Sequence, residues 1–481
     1  MDIKAVSYNT GQALLVSAIF MGLSAAVSAL NGFDSAFVPL VISFVTTFTA
    51  GCFPFIFIKS IPTVSLRDGY ITIGLSWLLS FIFGMLPYVL WGGEFTIVNA
   101  WFESVSGYTT TGSTILTDIE DLPKSLLFWR SSTHFIGGLG VIVFLLLVMP
   151  DASPFRLKLT NLEISSISRE GYRYSTKKMV GIICTVYASI AILETICLML
   201  AGMSFFDAVN HAFSTVSTGG FSTRNSSIMG FNSNAINIIT MVFMFLSACH
   251  FGIMFAVVSQ RSFRPVNSIM KYFFSATVVI SLAIMFSLKL SGTIDSWGDS
   301  AMAAFFHTIS FITTTGFGQA DTANWPMFAN ILIILCSIHC GCSGSTTGGL
   351  KSDRVLLGFK IIRSSIKKRL HPSSICNTRI DGHVISDETQ HNILTYIVLY
   401  FGMIIISTVR TMLCGLEISE AVSGSIASLG NVGPGIGNLG TMGNFAAMPA
   451  TAKVIFTLDM FFGRVEIYRL LVCISMIFHR N

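Results

Sequence analysis

Four short segments of this sequence combine threonine, serine and glycine in a way that suits the binding of a dehydrated cation. They are Thr109–Ser113, Val216–Gly220, Thr313–Gly318 and Gly430–Gly435. Backbone carbonyls and threonine hydroxyls both present oxygen, the ligand atom that hard cations prefer. Glycine lets neighbouring carbonyls face one point, because it adopts positive φ without a Cβ clash. Each segment is therefore a candidate for a backbone loop that replaces the hydration shell of an ion, as in potassium filters.

The segments recur at a nearly constant spacing. Their key glycines are 107, 97 and 117 residues apart (219 − 112, 316 − 219 and 433 − 316). Such a period indicates one structural unit repeated four times. Four units around one axis would bring the loops together, and we expect the cation ligands to be Thr110, Thr111, Gly112, Ser217, Thr218, Gly219, Thr314, Thr315, Gly316, Asn431, Val432 and Gly433.

The fourth segment departs from the other three. It offers Asn431 and Val432 where the others offer Thr or Ser, and Pro434 follows its glycine. The four turns then supply different numbers of hydroxyl ligands below the carbonyls. This argues against the strict selectivity of a fourfold-symmetric filter.

Loops of this kind need a membrane-spanning scaffold, and the composition indicates one. The chain has 481 residues, of which 52% are apolar and 11% charged, and its mean hydropathy is +0.71, whereas about 25% of residues are charged in soluble proteins. We expect the first apolar stretch to be a retained span and not a signal peptide, because it is long and a second stretch follows at once. Ten stretches are long enough to span a bilayer: Ala13–Leu30, Ser35–Ile58, Gly69–Trp91, Leu126–Met149, Met179–Met203, Ala235–Val258, Tyr272–Leu288, Met327–His339 with its continuation, Asn392–Leu416 and Val454–Phe478.

Each unit then consists of a span, a short pore helix, a glycine turn and a returning span. Non-helical backbone at membrane depth is tolerated only where it lines a water-filled path. The pore helices are predicted over Ala100–Tyr108, Phe205–Val216, Ala301–Ile312 and Ile418–Leu429. We therefore predict an all-α integral membrane protein with four pseudo-repeated span–pore-helix–filter–span units around one pore, plus two N-terminal spans. The expected boundaries are 1–66 (N-terminal spans), 67–150, 179–260, 261–350 and 391–481 (pore repeats), and 151–178 and 351–390 (cytoplasmic links).

Charge distribution gives the orientation. Basic residues fall in alternate connections, which the positive-inside rule assigns to the cytoplasm. The two links lack a sustained apolar period; a basic face there could dock an acidic lipid surface or a partner subunit, or could be a solvated loop. The outward connections are acidic, which predicts either a vestibule that concentrates cations or only the loss of bases that topology imposes. These acids are Asp34, Glu94, Glu103, Asp118, Glu120, Asp121, Asp207, Asp295, Asp299, Asp321, Glu417 and Glu420.

Two further features interrupt the apolar spans. Residues 341–349 form a Gly-rich stretch that should unwind, because glycine costs about 1 kcal/mol relative to alanine at each helical position; the alternative is a flexible kink. Arg464 lies in the last span, where an unpaired cation would cost at least about 2.5 kcal/mol. It should therefore face the pore or a partner, or pair with Asp459 or Glu466.

The chain resembles the Trk/Ktr/HKT potassium transporters. The resemblance rests on the four turns together with Trp129-Arg130-Ser131, Ile136 to Gly140, Phe213 to Ser222 and Gly344 to Lys351. The two extra N-terminal spans make it most similar to the bacterial TrkH/TrkG branch. The glycines at the four turns imply selectivity for potassium, since plant members with serine at the first one tend to pass sodium.

The resemblance also implies a site and partners. It implies potassium uptake across a bacterial inner membrane by a multi-pass homodimer, each chain with its own pore, gated from the cytoplasm by nucleotide-binding RCK subunits of the TrkA kind. Arg464 would bond to loop carbonyls or set an electrostatic barrier. The intramembrane gate would comprise Gly341, Gly344, Ser345, Thr346, Thr347, Gly348, Gly349, Lys351 and Arg464.

Other functions are less consistent with the sequence. Gly344–Ser352 resembles a P-loop, but Leu350 separates Gly349 from Lys351 and no strand precedes it, so we expect no nucleotide on this chain. A membrane enzyme would need a catalytic constellation that the sequence does not offer, and nothing indicates nucleic-acid binding. A proton- or sodium-coupled potassium symporter, or a poorly selective Na⁺/K⁺ transporter, stays open as an alternative, and Glu194 and the membrane histidines could serve a proton relay or be satisfied interior groups.

Overall fold

The structure, a computed structural model, describes residues 2–58, 66–147, 176–373 and 376–478. Most of the cytoplasmic link predicted over 151–178 lies outside these ranges. The described chain is mainly helical. It also has two 3-10 helices (Ser227–Phe231 and Gly437–Leu439) and four two-residue strands: β1 (His339–Cys340), β2 (Leu350–Lys351), β3 (Arg379–Ile380) and β4 (His383–Val384). The helices are α1 (Ile3–Leu30), α2 (Phe37–Phe57), α3 (Leu66–Gly84), α4 (Leu86–Trp91), α5 (Ile97–Tyr108), α6 (Lys124–Leu147), α7 (Thr176–Leu200), α8 (Phe205–Val216), α9 (Asn234–Ser247), α10 (Phe251–Gln260), α11 (Ser268–Leu290), α12 (Trp297–Ile312), α13 (Met327–Ile338), α14 (Ser352–Leu370), α15 (Asp387–Leu413), α16 (Ile418–Gly430), α17 (Ala450–Val465) and α18 (Ile467–Phe478).

The predicted class, a helical membrane protein, is confirmed. Among the described residues, six segments are long and apolar enough to cross a membrane: α1, α2, the run of α3 and α4, α7, α11 and α15. The pair α9–α10 is a seventh if it is counted as one span. The other three expected spans correspond to α6, α13 with α14, and α17 with α18.

Residues 235–258 do not form the single straight span that their hydropathy predicts. α9 and α10 meet at an angle of 102°. The Ala248 carbonyl accepts a hydrogen bond from the Cys342 amide at 2.9 Å, and the Phe251 amide donates to the Gly344 carbonyl at 3.1 Å. Backbone groups at the break are thus satisfied by another segment, so the bend depends on a tertiary contact that periodicity cannot show.

Four similar units follow the α1–α2 hairpin. Each contains one short pore helix, namely α5, α8, α12 or α16, which ends at a glycine turn. Thr96, Ser204 and Ser296 cap the first three pore helices by accepting a hydrogen bond from the amide three residues on, which satisfies a donor that the first helical turn leaves unpaired. The first three pore helices therefore start at the same local signal, whereas Glu417 before the fourth makes no such cap, and all four helices end at a glycine turn.

Shared apolar clusters join the units into a closed ring. Units 1 and 2 meet in the cluster around Tyr187, units 2 and 3 around Phe306, units 3 and 4 around Tyr400, and units 4 and 1 around Phe456. Each unit thus packs against two neighbours. The four pore helices consequently converge on one axis.

The N-terminal hairpin packs on the outside of unit 1. A Cβ at Gly11 would lie 2.7 Å from the Gly51 carbonyl oxygen, so the two helices approach as closely as small residues allow. The Tyr108 hydroxyl donates to Ser17 at 2.9 Å. The hairpin therefore supports the end of the first pore helix from behind.

The third returning span is interrupted, as its glycine content predicts. The chain leaves α13 at Ile338 and resumes helical structure at Ser352. Parallel pairing of β1 with β2 matches His339 to Leu350 and Cys340 to Lys351, which closes the base of a loop. Residues 341–349 are termed the intramembrane loop below.

The segment 351–390 contains more regular structure than a simple link. α14 occupies residues 352–370, and β3 and β4 form an antiparallel hairpin. Leu357 and Ile361 are buried, whereas Phe359 and Ile362 are exposed on the same helix. Apolar side chains on two faces blur the helical period, which is why the sequence pattern did not indicate α14.

Candidate functional site

The four glycine turns share one backbone conformation. In each, a residue in the left-handed region is followed two positions later by a glycine with positive φ. Only glycine adopts that second conformation without steric cost. The paired φ values are 53° and 83° at Thr110 and Gly112, 56° and 81° at Thr218 and Gly220, 56° and 79° at Thr314 and Gly316, and 53° and 98° at Asn431 and Gly433.

This conformation corrects the register predicted for the second turn. Gly220, and not Gly219, is the equivalent of Gly112, so the predicted set Ser217, Thr218 and Gly219 is shifted by one residue. Gly219 takes the place that Thr or Val fills in the other turns. A Cβ at Gly219 would lie 2.4 Å from the Nδ1 atom of His134, so the histidine ring occupies the space that those side chains use elsewhere.

The turns form a closed ring in the order of the chain. At each positive-φ glycine, a Cβ would collide with the carbonyl oxygen of the residue before the next turn's glycine. The distance from such a Cβ to the carbonyl oxygen would be 1.9 Å for Gly112 and Gly219, 2.0 Å for Gly220 and Thr315, 2.1 Å for Gly316 and Val432, and 2.6 Å for Gly433 and Thr111. Four carbonyls, one from each unit, therefore lie beside the glycines of their neighbours around a single axis.

The pore helices direct their carboxyl ends toward this ring. A helix carries partial negative charge at that end, which stabilises a cation nearby. Pore-helix serines also hold the residue after the glycine: Ser106 Oγ donates to the Ser113 carbonyl at 2.6 Å, and Ser310 Oγ donates to the Phe317 carbonyl at 2.7 Å. These hydrogen bonds fix the first and third turns to their pore helices.

Two of the expected hydroxyl ligands make contacts within their own turns. The Thr111 hydroxyl lies 2.8 Å from that of Thr109, and the Thr315 hydroxyl lies 2.8 Å from that of Thr313. These hydrogen bonds stabilise the turns and engage the hydroxyls with other protein groups. Backbone carbonyls are therefore the ligand atoms that the geometry favours at these positions.

Asn431 differs from the threonines at the equivalent positions, as its residue type predicts. Its amide Nδ2 donates to the Thr111 hydroxyl and to the Met460 carbonyl, each at 2.9 Å. The side chain thus ties the first turn to the fourth turn and to α17. Asn431, the residue by which the fourth turn differs in sequence, therefore joins the last unit to the first.

A buried ion pair supports the first turn. Arg130 contacts Glu103 at 2.8 Å, and both side chains are at most 1% exposed. Glu103 also accepts hydrogen bonds from Thr114 and the Ile115 amide, and the Arg130 guanidinium lies 4.0 Å from the centre of the Phe221 ring. Glu103 therefore belongs to the scaffold and not to an acidic vestibule. The sequence feature that indicates this ion pair is Arg130, because a cation within a membrane span needs a partner of opposite charge.

An open cavity lies on one side of the ring, and all four positive-φ glycines line it. The residues that follow the glycines, such as Ser113 and Phe221, also line it, together with Arg130 and Arg224. Among the described residues that line this cavity there is no carboxylate, in contrast to the acidic vestibule considered above. Arg224 lies 3.7 Å from Glu120 and 3.9 Å from Asp207, so acids lie around the cavity without lining it.

The intramembrane loop closes the opposite side of the ring. The Gly348 amide donates to the Thr314 hydroxyl at 3.2 Å, and the Thr346 hydroxyl donates to the Val216 carbonyl at 3.0 Å. A Cβ at Gly348 would lie 2.7 Å from the Gly430 carbonyl oxygen. The loop thus contacts the carboxyl ends of three pore helices, on the side away from the cavity.

Arg464 holds this loop and the first unit together. Its guanidinium donates to the Thr346 carbonyl at 2.5 Å and to the Gly137 carbonyl at 2.7 Å. Of the alternative partners, Asp459 accepts a hydrogen bond from Ser407, and Glu466 pairs with Arg354 at 2.8 Å. The remaining predicted gate residues, Gly341, Gly344, Ser345, Thr347 and Gly349, lie in the loop, and Lys351 ends β2 at its base.

Of the candidate relay groups, Glu194, His134 and His250 are buried and His339 is partly buried. His250 caps α10 by accepting from the Ile253 amide at 3.3 Å, and His339 lies 3.4 Å from the Ser352 hydroxyl. Glu194 is fully buried in α7. Since these groups lie on separate elements, the described geometry does not connect them into a relay.

Comparisons with known proteins cover nearly the whole chain. A family model described as TrkH, cation transport protein, matches residues 37–480. The chain is 31% identical to the Trk system potassium uptake protein TrkH of Salmonella typhimurium, over 86% of each chain. It is 32% identical to the Trk system potassium uptake protein TrkG of Escherichia coli, also over 86% of each.

A relative from Vibrio parahaemolyticus aligns from end to end. The Trk system potassium uptake protein TrkH of that organism is 30% identical over all of both chains. The crystal structure of the potassium transporter TrkH from Vibrio parahaemolyticus superposes with a TM-score of 0.88, at 29% identity, over 98% of each chain. The likeness includes the N-terminal hairpin and all four units.

Proposed function

Because this chain belongs to the TrkH family of cation transport proteins, we propose that it takes up potassium through the ring formed by its four glycine turns. Potassium is the transported substrate and not a resident cofactor. The ligands are backbone carbonyls of the predicted filter residues in the first, third and fourth turns and, in the corrected register, of Thr218, Gly219 and Gly220 in the second turn.

The observation that carries this proposal is the closure of the ring. Each glycine faces the carbonyl of the next turn at a distance that only a hydrogen atom tolerates. Carbonyls fixed in this way replace the hydration shell of an ion without reorganising. The pore-helix dipoles favour a cation over an anion at the same place.

The intramembrane loop acts as the gate in this proposal. It crosses beneath the ring and is held by hydrogen bonds from Arg464. Loops of small residues move within a narrow space more easily than helices do, because they carry few bulky side chains. Displacement of the loop from beneath the ring would open the path between the ring and the cytoplasmic side.

The relatives and the topology of the chain support a proposal for its membrane, its oligomeric state and its partners. We assign it as a multi-pass protein of a bacterial inner membrane, working as a homodimer in which each chain forms its own pore. The relatives are components of a Trk system by name, which supports cytoplasmic nucleotide-binding RCK subunits of the TrkA kind as partners. The basic cytoplasmic connections suit the docking of such subunits.

Cation flux into liposomes that contain only this chain tests the proposal. Uptake of potassium, rubidium, caesium, sodium and lithium would be compared with and without a proton or sodium gradient, with empty liposomes as the control. We expect passive uptake that favours potassium and rubidium. Uptake that requires a coupling gradient would instead indicate a symporter, and equal uptake of sodium would indicate a poorly selective transporter.

A further inference from the structure

A second contact joins the intramembrane loop to the last span, in addition to Arg464. Arg354 lies in the first turn of α14, three residues after the base of the loop, and its guanidinium contacts Glu466 at 2.8 Å. The two side chains are 16% and 13% exposed, and the guanidinium carbon lies 3.8 Å from the centre of the Tyr396 ring. This partly buried, stacked ion pair is built from α14, α15 and the α17–α18 junction.

Glu466 occupies an unusual backbone position. It separates α17 from α18 with φ of 68° and ψ of 128°. A residue other than glycine rarely adopts positive φ, and such strain persists only where surrounding contacts fix it. The ion pair with Arg354 is one contact that holds the junction in this form.

Arg354 and Arg464 make reciprocal contacts. Arg464, at the end of α17, reaches into the loop and bonds to Thr346, whereas Arg354, just beyond the loop, reaches back to Glu466. Arg464 and Glu466 are only two residues apart. A movement of the loop that breaks one contact therefore shifts the backbone that supports the other.

Hydrogen bonds at the base of the loop connect the loop to the helix that carries Arg354. The Ser352 amide donates to the Gly341 carbonyl at 2.9 Å, and Ser343 donates to Asp353 at 2.6 Å. Both contacts link the loop to the first turn of α14, where Arg354 lies. A shift of α14 relative to α17 would consequently pull on the loop.

We propose that the Arg354–Glu466 ion pair is a latch that stabilises the closed position of the intramembrane loop. Arg354 and Glu466 are positioning residues for gating, and neither contacts the ion path. The proposal rests on the gate role given to the loop above. Breaking the pair favours the open position without changing the ring of carbonyls.

Single-channel recording of the purified chain in lipid bilayers tests the latch, with Arg354→Gln and Glu466→Gln as the variants. We expect each variant to raise the open probability about tenfold, within the usual range of coupling between sites. The unitary conductance and the potassium-to-sodium selectivity should equal those of the wild type. Arg363→Gln is the matched control, because Arg363 is an exposed cation on the same helix, and it should not change the open probability.

The double variant sharpens the test. Since both residues act through one contact, Arg354→Gln with Glu466→Gln should match the single variants and not add to them. Additive effects, or an open probability equal to that of the wild type in folded variants, would overturn the latch. Arg354→Lys, which keeps the charge but not the planar stacking, should give a smaller increase and serves if Arg354→Gln does not fold.

Failure of the latch can be separated from failure of the gate. If Arg464→Ala raises the open probability and the Arg354 and Glu466 variants do not, the loop is the gate and the latch is wrong. If none of these variants changes it, the gate assignment is wrong as well, and the latch falls with it. Loss of selectivity without a change in open probability would assign the pair to the filter and overturn the proposal.

Discussion

At each of the four ring glycines, a hydrogen atom occupies the space that a Cβ would need. Gly112 shows this most clearly, because a Cβ there would lie 1.9 Å from the Gly219 carbonyl oxygen. Even a small side chain would push that carbonyl away from its position beside the axis. The identity of one residue thus controls the geometry of a ligand that belongs to the next unit.

Gly112→Ser should therefore reduce discrimination against sodium. We expect the potassium-to-sodium permeability ratio to fall about tenfold, which corresponds to about 1.4 kcal/mol. Ion flux into liposomes or reversal potentials would measure the ratio. Gly92→Ser is the matched control, because Gly92 has a nearly identical φ of 84° but no atom within 4 Å of its Cβ position. An unchanged ratio in Gly112→Ser, or an equal fall in the control, would contradict the steric explanation.

Arg464 is the second residue on which the site depends. Hydrogen bonds from a charged donor contribute about 1.5–3 kcal/mol each, and Arg464 bonds to carbonyls of both the loop and α6. The contact holds the loop beneath the ring.

Arg464→Ala should raise potassium leak about tenfold or more, because it removes charge-assisted hydrogen bonds that each contribute at least about 1.5 kcal/mol. Rubidium uptake into liposomes without any partner subunit would measure the leak. Arg410→Ala, which removes an exposed cation from another membrane helix, should leave it unchanged. Wild-type flux in well-folded Arg464→Ala protein would argue against the gate.

At the scale of elements, the loop and the break between α9 and α10 depend on each other. The break accepts and donates backbone hydrogen bonds to the loop at Cys342 and Gly344. The loop also lies against Gly430 and Asn431 at the end of the fourth pore helix. Small residues are required along this path because the loop crosses a space bounded by three pore helices.

Gly348→Ala should displace the loop. Its Cβ would lie 2.7 Å from the Gly430 carbonyl oxygen and from the Asn431 side chain, and overpacking of this kind costs about 1 kcal/mol or more. We expect leak flux to rise about fivefold or more, measured as rubidium uptake. Gly181→Ala, at a helical glycine with open space around its Cβ position, should behave like the wild type. A lower flux in Gly348→Ala would mean that the alanine wedges the loop closed.

At the scale of the whole molecule, the ring closes within one chain. The last turn contacts the first through Gly433 and Thr111 and through the amide of Asn431. Apolar clusters join every unit to its two neighbours. The ring of glycine turns is therefore complete without a second copy of the chain.

Mixtures of chains should consequently conduct as independent pores. Wild-type and Gly112→Ser chains, expressed together and reconstituted, should give two discrete channel populations with the two parental selectivities. Single-channel reversal potentials in bilayers would separate them, and each variant alone provides the control. A single population of intermediate selectivity would show that chains share a pore.

The units, the fold class and the family resemblance could be predicted from the sequence. Glycine turns, apolar spans and pore-helix caps depend on residues close together in the chain, so their signals are local. Hydropathy and the repeat spacing sufficed to predict the helical membrane architecture that the superposition confirms. α14 was missed because apolar residues lie on two of its faces.

Contacts between units could not be predicted from the sequence. The register of the second turn depends on the His134 ring behind Gly219, and the role of Glu103 depends on Arg130 one helix away. The bend between α9 and α10 depends on a loop about ninety residues further along the chain. None of these partners has a fixed sequence offset from the residue it controls.

The sequence by itself determined that four glycine turns lie at the ends of four pore helices in a membrane. Only the tertiary structure decided which glycines are equivalent, which carbonyls they face and what holds the intramembrane loop. The reason is physical: φ preferences and hydropathy are properties of neighbouring residues, whereas ligand geometry depends on close contacts between segments about a hundred residues apart.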